Sequence, residues 1–170
     1  MNLQLNIQMI TCTTFQLNEM STHREARVEI ENCTGHYYRF KVHHIYSGQN
    51  PEHSEWISLA PGQKGLAFEK VHYWTGFFTI GYDNWVVEAF RETSGPTYPI
   101  SEVYKSGGGS CTEHILRLED RDQTTLIKVY DSSVEFISKS KTTKAKFGHY
   151  VPPEERESQS YTYLWNFPGK

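Results

Sequence analysis

The feature that most constrains this chain is a period of two. From residue 26 onward apolar and polar residues alternate, and no stripe with helical spacing competes with that pattern. In ARVEIE (26–31), Ala26, Val28 and Ile30 share one face of an extended chain, while Arg27, Glu29 and Glu31 share the other. YYRFKVHHIY (37–46) repeats the arrangement, with Tyr38, Phe40, Val42, His44 and Tyr46 opposite Arg39, Lys41 and His43. Between them, Asn32-Cys33-Thr34-Gly35 carries the residues of a chain reversal, so the spacing predicts a hairpin over 26–46.

The same signals continue downstream. A short strand is expected at 56–59, and Ala60-Pro61-Gly62-Gln63 follows with proline and glycine in type II order. LAFEKVHYW (66–74), FFTIGY (77–82) and NWVVEAF (84–90) read as strands, the last two joined through Tyr82-Asp83-Asn84. SGGGS (106–110) reads as a flexible linker. HILRLE (114–119), TLIKVY (125–130) and VEFIS (134–138) follow, and the three-residue loop Asp131-Ser132-Ser133 predicts a second hairpin. Short strands with turn signals about every eight to twelve residues predict an all-β sandwich or barrel.

A length of 170 residues suits one domain, and a net charge of −3 supplies no basic field for a nucleic acid. No apolar run approaches the ~20 residues a membrane helix needs. The polar start, MNLQLNIQMITCTTFQLNE, does not read as a secretory signal, so the expected location is cytoplasmic. Cys12, Cys33 and Cys111 are too few and scattered for a disulfide framework and are expected as free thiols. Asn32-Cys33-Thr34 fits the glycosylation pattern, a match frequent by chance. PPEERESQS (152–160) is polar, whereas YTYLWNF (161–167) is aromatic enough that the tail is expected to dock on the domain or a partner.

Catalytic templates fail one by one. There is no GxSxG elbow, no GxxxxGK[ST] loop and no GxGxxG opening a helix. His43 and His44 are adjacent and point to opposite faces, and no His-x-His or His-x3-His pair occurs. A zinc site would therefore need ligands from distant strands. The expectation is a protein without enzymatic activity, cofactor or metal.

HYWTGFFTIGYDNW (72–85) stands apart. Ring packing in a sheet explains most such clusters, but here both parities are aromatic: Tyr73 and Phe77 on odd positions, Trp74 and Phe78 on even ones. One set can fill a core, and the other needs a second sheet, a subunit or a lipid surface to cover it. The candidate ligand-binding residues are Tyr73, Trp74, Phe77, Tyr82 and Trp85, with Asp83 and Asn84 as hydrogen-bonding groups. Lys70, or Lys64, would pair with a phosphate.

Three stretches together resemble the PUD-type domain, whose members are up-regulated in long-lived insulin-signalling mutants of nematodes. They are ARVEIENCTGHYYRFKVHHIYSGQNPEHSEWISLAPGQ, YWTGFFTIGYDNWVVEAF, and CTEHILRLED with the later VEFISKS, over residues 20–138. That family is similar in fold to aegerolysins, small β-sandwich proteins that bind membrane lipids. The resemblance implies a single-domain antiparallel β-sandwich over 20–151, an amino-terminal arm over 1–19 and a tail over 152–170. It also implies a homodimer or a heterodimer with a related chain, and a non-enzymatic interaction function, with a lipid headgroup or a glycan as alternative ligands. Two departures stand out: SEVYKSGGGSC replaces a longer apolar insertion of fungal relatives, and KSKTTKAKF replaces a small-residue turn.

Overall fold

A computed structural model describes residues 22–47, 49–76, 81–92 and 102–150. The expected arm over 1–19, the tail over 152–170, and Phe77 and Phe78 lie outside the described residues. What remains is all-β, without an α-helix among the described residues. Eleven strands run in chain order: β1 Thr22–Asn32, β2 Tyr38–Tyr46, β3 Glu52–His53, β4 Ile57–Leu59, β5 Lys64–Thr75, β6 Asp83–Arg91, β7 Val103–Ser106, β8 Thr112–Glu113, β9 Thr124–Val129, β10 Ser133–Ile137 and β11 Thr142–His149. They form one hydrogen-bonded path, β3-β2-β6-β7-β11-β10-β9-β1-β5, with β4 also on β2 and β8 on β6.

β11 joins the two halves of this path. Its first part pairs with β10 and its last three residues, Phe147–His149, pair with β7. The path curls back on itself, so that Gly65 of β5 meets Ile57 and Leu59 of β4 and the sheet is nearly closed. Its interior is one cluster. Ala26, Val28 and Ile30 of β1, Tyr73 of β5, Ile127 of β9 and Phe136 of β10 pack against Phe40 and Val42 of β2 and Trp85 and Val87 of β6. The alternation read from sequence is therefore the inward-outward alternation of these strands, and each large side chain so buried contributes roughly 1.5–3 kcal/mol.

The expected 26–46 hairpin does not form. β1 pairs antiparallel with β5 and parallel with β9, whereas β2 pairs with β3, β4 and β6. The two strands lie far apart along the path of the sheet, both turn apolar residues into the one core, and residues 33–37 form an arch that connects them. Asn32 holds that arch. Its amide nitrogen donates to the carbonyls of His36 at 2.8 Å and Leu59 at 2.9 Å, and its amide oxygen accepts from Thr34 N and Thr34 Oγ1. With its side chain buried and fully hydrogen-bonded, Asn32 is a structural hub; the glycosylation pattern around it is coincidental to the fold.

The second predicted hairpin does form, as β9 and β10 with Val129 opposite Val134. HILRLE is not a strand. The chain makes a 3-10 turn at Leu118–Asp120, because the buried Asp120 carboxylate accepts from Arg117 N, Ser140 N and Ser140 Oγ. SGGGS is likewise no loose linker. Ser106 is buried and accepts a bond from Val87 N, and Gly107, Gly108 and Gly109 all adopt left-handed backbone, φ 62°, 66° and 90°. Such a run is open to glycine alone at low cost, and a side chain at Gly109 would also strike the Tyr150 ring. Asp83, expected in a connection, instead opens β6.

Substituting Asn32→Ala should cost on the order of 3 kcal/mol, because it leaves two backbone carbonyls and Thr34 without their buried partner. Urea unfolding followed by circular dichroism measures the loss, and Cys33→Ser one residue away should shift the midpoint far less.

Candidate functional site

The residues singled out in sequence separate into two groups. Tyr73, Asp83 and Trp85 are fully buried within this one chain. They point inward, so they cannot offer rings or a carboxylate to a ligand. Tyr73 donates its hydroxyl to the Arg117 carbonyl at 3.0 Å, and burial pushes its pKa up. Asp83 spends both oxygens internally, on His44 Nε2 at 2.8 Å and on Leu116 N at 2.8 Å. His44 in turn lies against the Trp85 indole, centroids 4.2 Å apart, and Trp85 Nε1 donates to the His114 carbonyl. A strand that begins with a charged residue buries it here only because a histidine and a backbone N–H meet it.

Trp74, Tyr82, Asn84 and Lys70 are on the surface or half-buried, with Tyr82 at 46 % exposure. Phe77 lies outside the described residues. Trp74 joins a row of rings that the sequence reading did not assemble. His72 stacks on His23 at 4.8 Å, His23 meets Trp74 edge-on at 5.0 Å, and Trp74 lies 5.2 Å from Tyr46. The β1–β5 register builds it, setting His23 opposite Trp74 and Glu25 opposite His72. Tyr46 closes the row, and its hydroxyl crowds Gly81 so tightly that any side chain there would displace it. Tyr82 follows directly, tied to Ser47 by bonds from each backbone N–H.

Charge accompanies the rings. Lys70 Nζ lies 2.7 Å from Glu25 Oε2, while Glu25 Oε1 faces His72 Nδ1 at 3.8 Å. The hydrogen bond from Lys70 holds the Glu25 carboxyl below its ordinary range, and Glu25 raises Lys70 in return. His72 Nδ1 and His23 Nε2 are 2.8 Å apart, so one ring nitrogen donates to the other. His23, Glu25 and His72 could together hold a metal ion. The sequence did contain their spacing, since His23-Arg24-Glu25 and His72-Tyr73-Trp74 are both same-face pairs on a strand. It lacked the register that puts the two pairs side by side.

A second aromatic surface lies on the outer face of β2, β4 and β6. Trp56 and Phe90 are 4.9 Å apart, with the Arg39 guanidinium over Phe90 and the Lys41 ammonium over Trp56, each at 5.7 Å. Trp56 was read only as the start of a short strand. Its role depends on β4 lying beside β2, a pairing that turn spacing does not reveal.

In the core, against Phe136, His114 is fully buried, with Nδ1 on Thr143 Oγ1 at 2.9 Å and no hydrogen-bond partner for Nε2 among the described residues. Burial, reinforced by the Lys141 charge and opposed by Asp120, pulls its pKa down to about 4. Above the ordinary histidine pKa of about 6.5 both folded and unfolded chains carry it neutral. Between about 6.5 and about 4 the unfolded chain binds a proton that the folded one refuses, so stability falls as pH falls through that window. Denaturant midpoints at pH 7 and pH 5 should differ in that sense, and His114→Gln should flatten the difference.

A family model described as Up-Regulated in long-lived daf-2 matches residues 22–108 and 102–147. No curated protein matches the chain. The matched spans contain the arch, the ring row and the outer face of β2 and β6, and they take in more than half of the sequence. The chain belongs to the Up-Regulated in long-lived daf-2 family.

Proposed function

We propose that this protein is a non-enzymatic interaction protein: a β-sandwich of the aegerolysin kind that dimerises and recognises its ligand through half-exposed rings. The observation that carries the reading is the row His72, His23 and Trp74, continued over the buried Tyr46 to the exposed Tyr82 and flanked by the Lys70–Glu25 ion pair. Rings with one wet edge beside paired charges suit a ligand that is apolar on one side and polar on the other. A second copy, or a related chain, would cover Trp56 and Phe90. Aromatic and arginine side chains are enriched in such interfaces, and Arg39 already stacks there.

A recognition role also fits the placement of the tightest histidine–carboxylate pair among the described residues. His44 and Asp83 each have a side chain 1 % exposed, so no substrate reaches them. No helix among the described residues is long and apolar enough to cross a membrane. Contact with a lipid would therefore come through the surface. The lipid reading is favoured over a glycan by Lys70, whose ammonium could exchange Glu25 for a headgroup phosphate.

Sedimentation with vesicles of phosphatidylcholine, with and without phosphatidylserine, tests this directly. Trp74→Ala and Tyr82→Ala should each weaken binding about tenfold, equivalent to about 1.4 kcal/mol. Undiminished binding by both variants removes the ring row from the reading, and a glycan array on the same proteins separates sugar from lipid. Light scattering should return a dimer; a clean monomer at micromolar concentration overturns the dimeric part.

A further inference from the structure

We propose that His23, Glu25 and His72 form a binding site for a divalent transition-metal ion, zinc above all, with a fourth coordination position open to solvent. The inference does not rest on the recognition reading, since it needs only these three side chains and the β1–β5 register that aligns them.

The donor set is the first argument. Two imidazole nitrogens and one carboxylate suit zinc, copper or nickel, whereas calcium and magnesium want oxygen ligands throughout. Three protein ligands and one open position is also the pattern of zinc sites that exchange water or a further ligand.

Geometry is the second. Zinc bonds of about 2.0–2.1 Å in a tetrahedron place ligand atoms about 3.3 Å apart. Here His23 Nε2 and His72 Nδ1 are 2.8 Å apart, His72 Nδ1 and Glu25 Oε1 are 3.8 Å apart, and all three ligand atoms lie within 4.8 Å of one another. These separations bracket the required one. Small rotations at the surface, where His23 is exposed, bring the set to ligand geometry. The two ring nitrogens already converge on one proton. An ion would take that proton's place, and the proton would move to the far nitrogen of the same ring, leaving both imidazoles neutral and able to ligate.

Lys70 supplies the third. It engages Glu25 Oε2 at 2.7 Å and leaves Oε1 on the side of His72, so the carboxylate is oriented before any ion arrives. Outer partners that orient ligating groups in this way are a general feature of protein metal sites.

Zinc titrated into the full chain and followed by calorimetry should bind one ion per chain, and calcium or magnesium should not compete. Cobalt in its place should give the visible absorption of a four-coordinate ion. His72→Ala and Glu25→Gln should each lower zinc affinity by at least the 10–100-fold typical of lost outer partners, and His23→Ala combined with His72→Ala should abolish it. His43→Ala on the other half of the sheet, and Cys111→Ser at the exposed thiol, should leave uptake unchanged. Without any variant, the His23 and His72 imidazole resonances should move with zinc before those of the other histidines. No heat up to millimolar zinc, uptake undiminished in the double variant, or a preference for calcium would each overturn the site.

Discussion

Whether β1 and β2 become neighbours or opposite walls is decided at Asn32. Both strands turn their apolar faces into one core, and the chain between them must pass from one part of the sheet to another without stranding its polar groups. Asn32 makes that crossing affordable. Its amide satisfies the His36 carbonyl in the arch and the Leu59 carbonyl at the end of β4, while its backbone bonds Gln63 and Gly62 in the following turn. One residue, through side chain and backbone, thus ties the arch, β4 and the entry to β5 together. With β1 freed from β2, its two edges are available to β5 and β9, and everything on the outer face of the β1–β5 pair follows from that choice.

The two ends of β1 have different chemistry as a result. Near Asn32 the strand is locked by buried hydrogen bonds. Near Thr22 it carries His23 and Glu25 outward, beside His72 and Trp74. Below this end lie the inward groups that the surface depends on: Tyr73, and the Asp83–His44 pair against Trp85. These residues pack in the core beneath the ring row and support it from within. Close packing beneath the ring row limits how far the rings can turn, so the proposed recognition surface would be preset.

Much of this was legible in the sequence, and the reason is local. Alternation names the face on which a residue lies, so Val28, Ile30, Phe40 and Val42 were readable as one parity of their strands, whereas with rings on both parities of 73–78 it did not say that Tyr73 is the inward one. The β9–β10 hairpin was readable because three residues join its strands. Alternation does not name the neighbouring strand, and so the same signal over 26–46 fitted a hairpin and an arch equally well. HILRLE shows a different limit. Its apolar residues alternate, but Asp120 and Ser140 turn the chain there through bonds that span twenty positions. SGGGS carried the composition of a linker and the backbone of a tight turn. For the candidate site, Trp74 and Lys70 were singled out by residue type alone. His23, Glu25 and His72 were missed because their meeting spans about fifty residues of chain.

The parallel pairing of β1 with β9 bears on how the molecule is made. Arg27 lies beside Thr124, a separation of 97 positions (124 − 27), and among the described residues no other strand occupies that edge. At ribosomal speeds of about 5–20 residues per second, β1 waits several seconds for this partner. Throughout that interval Val28 and Ile30 sit on an unzipped edge, alongside charged Arg27, Glu29 and Glu31. Those alternate charges discourage a second nascent chain from adding itself where β9 belongs, so the hydrophilic parity of β1 serves as a guard during birth as well as a wet surface afterwards.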